Sequence, residues 1–175
     1  MKSKAALSVL IVISLLLLEG CISYSFTGAA TNARTIQVED FFNNTDLGPA
    51  NLGQTFTNKL KEYYQQNSSL VVVKENGELQ IEGTLTQYNV TPVAPVSGAA
   101  SGRLGDPAAL TRLTIGVRVN YVDTLEPKNS FKEKTFSFYA DFPSTQDLSS
   151  VQESLERKIM DQIFIDIFNA TIANW

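Results

Sequence analysis

Five apolar residues, Leu113, Ile115, Val117, Val119 and Tyr121, alternate with Thr114, Gly116, Arg118 and Asn120. Successive side chains of a strand point to opposite faces, so this run specifies a strand with one buried face and one wet face. It is not the unbroken apolar run of a parallel sheet covered on both sides. Such a strand needs a cover on one face only, and the C-terminal segment supplies it. Val151, Leu155, Ile159, Ile163 and Ile167 step by four, and Phe164 and Phe168 widen the stripe, which is the spacing of an amphipathic helix.

The remaining segments extend this plan. Arg34 to Phe41 alternates with Ile36 and Val38 on one face and reads as a first strand, followed by the turn cluster Asn43 to Asp46. Leu52, Phe56, Leu60 and Tyr63 or Tyr64 mark a first helix, with Asn51 and Gln54 as a capping box and Gly53 weakening its first turn. Leu70 to Val73 is a short β-branched strand, and Glu75-Asn76-Gly77 marks a hairpin turn after it. Leu79, Ile81 and Leu85 alternate with polar residues until the pattern slips near Gln87. A bulge there lets Tyr88 and Val90 take over the apolar face. Beyond the turn at Glu126 to Asn129, a partner strand runs from Phe131 to Ala140, and Ser150 with Glu153 fits a capping box for the last helix. The order is β-α-β-β-β-β-α. Strands and helices do not alternate strictly, so the expected fold is α+β, two helices packed on one face of a small, mostly antiparallel sheet.

Residues 1–20 follow a different logic. Lys2 and Lys4 precede a charge-free apolar run from Ala5 to Leu18, 14 residues long. A bilayer span needs about 20 residues, so the run fits the core of a signal peptide. Leu18-Glu19-Gly20-Cys21 follows and resembles the lipobox read by the lipoprotein signal peptidase, although Glu19 departs from the small residue usual there. The resemblance implies that Cys21 becomes the first residue, diacylglyceryl-modified on its thiol and acylated on its amine, because two or three chains anchor a protein where one holds marginally. The alternative is an ordinary cleaved signal with an incidental cysteine. Residues 21–33 read as a lipidated tether and 34–175 as the domain. Removing residues 1–20, with Lys2, Lys4 and Glu19, turns a 175-residue chain of charge −4 into 155 residues of charge −5. Residues Ile22 to Ser25 carry neither an inner-membrane retention aspartate nor an acidic export run, which points to the periplasmic leaflet of the outer membrane.

Composition removes whole classes of activity. There is no histidine and a single cysteine. The usual general base, zinc ligands, Ser–His and Cys–His nucleophiles and an internal disulfide are therefore absent from the chain. The acidic balance argues against nucleic acid as a partner. Glu39-Asp40 is a carboxylate pair, but neighbours in a strand point to opposite faces and cannot flank one glycosidic bond. No enzyme activity and no cofactor is expected.

The ordered set of motifs is similar to one family. It runs from Tyr24-Ser25-Phe26-Thr27-Gly28-Ala29, through Gln54-Thr55-Phe56-Thr57 and Arg112-Leu113-Thr114-Ile115, to Tyr139-Ala140-Asp141-Phe142. Asp166-Ile167-Phe168-Asn169 and Ala173-Asn174-Trp175 close it. Together with the lipobox these resemble the LptE lipoproteins of the Bacteroidetes type. The resemblance implies an outer-membrane lipoprotein that partners the LptD β-barrel, plugs it and assists assembly of lipopolysaccharide. A role of another class is a periplasm-facing adaptor that regulates a different envelope machine and binds no lipid.

Lipopolysaccharide offers phosphates and acyl chains, so its contacts should combine cations with apolar surface. Arg112 and Arg118 share one strand face, and Lys132 and Lys134 share a face of the partner strand. Counting from the turn sets Arg118 across from Lys134 and puts Phe136 and Phe138 on the same face. An anion between the opposed cations is one rationale. The other reading is a solvated polar face, with a bulge near Thr135 turning both phenylalanines inward. Val93 to Ala109 is a long Gly- and Pro-bearing stretch in which Arg103 occupies the region of a basic residue that the family associates with lipopolysaccharide. The family's second basic position has no counterpart in Ser144 to Asp147. Asp123-Thr124-Leu125 matches a short O-glycosylation acceptor at Thr124, or is a plain hairpin shoulder.

Overall fold

The computed structural model of the protein describes residues 31–93 and 109–172. Cys21, the segment 1–20, most of the tether and Arg103 lie outside the described residues. Strands β1 (Thr35–Val38) and β2 (Phe42–Asn43) precede helix α1 (Leu52–Asn67), then come β3 (Val71–Val73), β4 (Leu79–Val93), β5 (Leu110–Asp123), β6 (Phe131–Pro143) and helix α2 (Leu148–Thr171). This is the expected order with a two-residue β2 added. The sheet runs β3-β1-β4-β5-β6, with β2 also on β4. Its long β4–β5–β6 meander is antiparallel, while β1 pairs parallel with both β3 and β4.

That last pairing corrects the hairpin expected at Glu75-Asn76-Gly77. A turn is there, with Asn76 at φ 56°, but β1 lies between the strands it joins. The chain crosses over β1 instead. A Cβ at Gly77 would sit 2.5 Å from the Gln37 backbone nitrogen, so only glycine fits the crossing. Glu78 fastens it, accepting hydrogen bonds from the Arg34 and Thr35 backbone N–H groups.

The alternating residues of β5 are buried as their period predicts, from Leu113 through Val119 at 0% exposure. Both helices lie on that side and join the same core. Phe56 packs edge-on to Phe164, 4.9 Å between centroids, and Tyr63 packs on Phe168 at 5.5 Å. One buried polar network pins three elements. The Thr171 hydroxyl donates to the Ile167 carbonyl at 2.9 Å, so the Tyr64 hydroxyl donates to Thr171 at 2.7 Å. Tyr121 reaches the Thr171 carbonyl at 3.3 Å. Burial pushes the Tyr64 phenol well above its ordinary range, so it stays a donor.

The expected capping boxes are not made. Asn51 is the N-cap of α1 but its side chain makes no capping bond. The N-cap of α2 is Asp147, and Ser150 sits three residues inside, donating to the Asp147 carbonyl. Gly53 has a positive reason to be small. A Cβ there would meet the Phe41 carbonyl oxygen at 2.3 Å, and Thr57 links the same two segments by accepting from the Phe41 N–H and donating to the Gly53 carbonyl.

Candidate functional site

Among the described residues no helix covers the other face of the sheet. Residues paired directly across strands share a face, so the register reads this face row by row. Gln80 pairs with Val122, Glu82 with Asn120, Phe42 with Thr84 and Arg118, Gln87 with Gly116, Asn89 with Thr114 and Tyr139, and Thr91 with Arg112 and Asp141. The expected bulge is present between Leu85 and Gln87. It moves Tyr88 to the buried side at 3% exposure, where its hydroxyl donates to Glu156 of α2.

A second bulge decides the cation cluster. Tyr121 still pairs with Phe131, but Asn120 accepts from the Glu133 N–H, Glu133 takes φ 51°, and the ladder resumes one residue out of step at Val119 with Lys134. A one-residue slip moves every following side chain to the opposite face. Arg118 therefore lies across from Thr135, not Lys134. Phe136 and Phe138 turn to the helix side, as in the solvated-face reading, and Phe136 is 8% exposed. Lys134 follows them, its ammonium 5.1 Å from the Phe131 ring and 5.5 Å from the Phe136 ring. Arg118 stays on the open face, 3.6 Å from Glu133. Lys132 is exposed beside the bulge.

The same slip builds something counting from the turn misses. It brings Asp141 and Tyr139 to the open face beside Arg112. The Arg112 guanidinium binds Asp141 in a fork, 2.7 Å and 2.9 Å, and its carbon lies over the Tyr139 ring, 3.5 Å from the centroid. The hydrogen-bonded guanidinium holds the Asp141 carboxyl below its ordinary value, and Asp141 raises Arg112 in turn. The pair sits at the end of β5 nearest the segment that contains Arg103. Locating the bulge was the signal needed, and Lys132-Glu133-Lys134 is the only interruption in the apolar alternation of β6. Phe42, 74% exposed, was also missed, because nothing in its neighbours marks a two-residue strand.

A model of the LptE family, described as lipopolysaccharide-assembly, matches residues 33–171. The chain belongs to the LptE family. No curated protein matches it. Among solved structures, a hypothetical protein from Chlamydia trachomatis is similar at 12% identity and TM-score 0.52, covering 81% of this chain and 99% of its own. An uncharacterized lipoprotein B from Nitrosomonas europaea is similar at 13% identity and TM-score 0.50, covering 78% and 80%. At these identities the likeness is one of fold. The LptE match gives this chain a place in lipopolysaccharide assembly and indicates no catalytic family. Among the described residues of this LptE-family chain, no helix is long and apolar enough to cross a membrane. No cluster of His, Cys, Asp and Glu there is placed to hold a metal ion.

Proposed function

We propose that the protein is an outer-membrane lipoprotein, anchored through acylated Cys21 on the periplasmic side, that partners and plugs an LptD-type β-barrel and assists lipopolysaccharide assembly. The observation that carries this reading is the open sheet face within a family of lipopolysaccharide-assembly proteins. A free-standing domain with helices on one side commonly solvates the other side, but a barrel lumen is itself polar. The rows of Thr, Asn, Gln and Arg on β4 and β5 offer that wall hydrogen bonds, and Phe42, Val122 and Tyr139 add exposed apolar contacts among them. Arg118 and Lys132 on this side of the sheet, Lys134 at its edge and Arg103 in the connecting segment are the cations for lipid A phosphates. Arg112 already has a carboxylate partner and serves better to fix the platform on which Tyr139 is displayed.

The test is co-expression with the cognate barrel and detergent extraction. The barrel should co-purify in a one-to-one ratio, and depletion of the lipoprotein should lower surface lipopolysaccharide and leave the barrel misfolded. Normal lipopolysaccharide and a normally folded barrel after depletion would overturn the reading in favour of an adaptor role. Cys21→Ala should release the chain from the membrane fraction, and Arg118→Glu with Lys134→Glu should weaken lipopolysaccharide binding.

A further inference from the structure

Among the described residues strand β6 ends the sheet, leaving one side of a 13-residue strand without a neighbour. Long free edges invite pairing, and proteins normally blunt them with charges, bulges or proline. Here those devices are confined to the ends. Lys132, Glu133, Lys134 and the bulge occupy the start, and Pro143 is the last residue. Between them Thr135-Phe136-Ser137-Phe138-Tyr139-Ala140 has no charge and no proline. The opposite edge, β3, has only three residues.

Beside the free edge, on the helix side, lies a groove between β6 and α2. Phe138 and the 38%-exposed Ile165 give it an apolar floor, and Arg157, Lys158 and Asp161 border it. The cations dominate. Arg157 is paired with Glu153, and Lys134 and Lys158 have no carboxylate within ion-pair distance among the described residues; of the nearby acids, Glu133 and Asp141 of β6 are already paired with Arg118 and Arg112, which leaves Asp161. The main packing partner of α2 in the sheet is β6. A second copy pairing edge to edge would set its own α2, with Arg157 and Lys158, against the same cationic border, like charge facing like, whereas an acidic strand complements it. The space suits a bare strand.

We propose that the β6 edge is a docking site for an extended, acidic segment of a partner protein, which adds to the sheet by backbone pairing. Its alternate side chains would rest on Phe138 and Ile165, and its carboxylates would face Lys134 and Lys158. The inference stands on this edge and not on the barrel reading.

The experiment uses the full chain in detergent and a short peptide alternating valine and threonine with aspartate at each end. Binding should saturate, and amide hydrogen exchange should slow over Thr135–Phe142 but not over Val71–Val73. Lys158→Glu should weaken binding about five-fold, the worth of one exposed ion pair near 1 kcal/mol. Ile165→Asp, a surface change on α2 that circular dichroism can show to be folded, should weaken it at least as much. A peptide N-methylated at alternate residues should not bind. Equal binding of the N-methylated or a lysine-ended peptide would overturn the proposal, as would unchanged exchange along β6. A doubling of mass through β6 without peptide would also overturn it and assign the edge to a second copy.

Discussion

On the helix side of β5, Leu113, Ile115, Val117 and Val119 are fully buried; on the other side of the same strand Arg118 is exposed and Arg112 is sheltered mainly by Tyr139 and Asp141. Both faces come from one alternating sequence, yet they are held differently. The helix face depends on volume and apolar area, distributed over two helices and five strands. The open face depends on local polar contacts, each made between neighbours in the register. Damage to the first should therefore be global, and damage to the second confined to binding.

The largest test of that contrast is Phe56→Ala. Phe56 is 0% exposed and contacts the rings of Phe41 and Phe164, so truncation should cost about 3–5 kcal/mol. Arg118→Ala should stay within about 0.5 kcal/mol. Urea unfolding of both variants measures the difference, and comparable losses would break the contrast. Gly53→Ala comes next. Alanine is the better helix former by about 1 kcal/mol, but its Cβ would press into the Phe41 carbonyl at 2.3 Å. The net result should be a loss of about 1–3 kcal/mol, typical of overpacking. A stabilised Gly53→Ala would show that β2 and its approach can move away from α1.

The helix face was legible in the sequence because burial is read directly from period. Ile36, Val38, Leu79, Ile81 and the α2 stripe all fall where their spacing places them. The open face was legible only in part, because its composition depends on register, and register depends on one extra residue between Phe131 and Lys134. That residue moved Lys134 and two phenylalanines off the face and brought Tyr139 and Asp141 onto it. Strand order around β1 was hidden for a similar reason. A turn signal such as Asn76-Gly77 reports a reversal of local direction, not which strand lies alongside. The caps were misread because Asn, Ser and Asp are common at helix starts whether or not their side chains bond.

A smaller effect is expected at the buried network of Tyr64, Thr171 and Tyr121. Tyr64→Phe removes a buried donor to Thr171, whose hydroxyl already donates to the Ile167 carbonyl. The cost should be about 1 kcal/mol. Thermal unfolding can check it. A neutral result would mean that the network orders α1 against α2 without stabilising the fold.

The smallest effect should appear only in acid, at the crossing over β1. The Arg34 and Thr35 N–H groups hydrogen-bond the Glu78 carboxylate and hold its pKa below the ordinary 4.5. A depressed carboxylate contributes stability above its unfolded pKa, and that contribution is lost as pH falls through the lower folded value. Its share should therefore be intact at neutral pH and disappear progressively below pH 4.5. Glu78→Gln keeps one acceptor but no titration, so its stability should fall less steeply than that of the wild type over this acid range, with little change at neutral pH. Urea midpoints measured along the acid limb test this. Parallel curves for the two proteins would mean that Gly77 and the β-ladder alone hold the crossing. The polar contacts outside the core would then contribute to shape and not to stability, which is the contrast between the two faces in its strongest form.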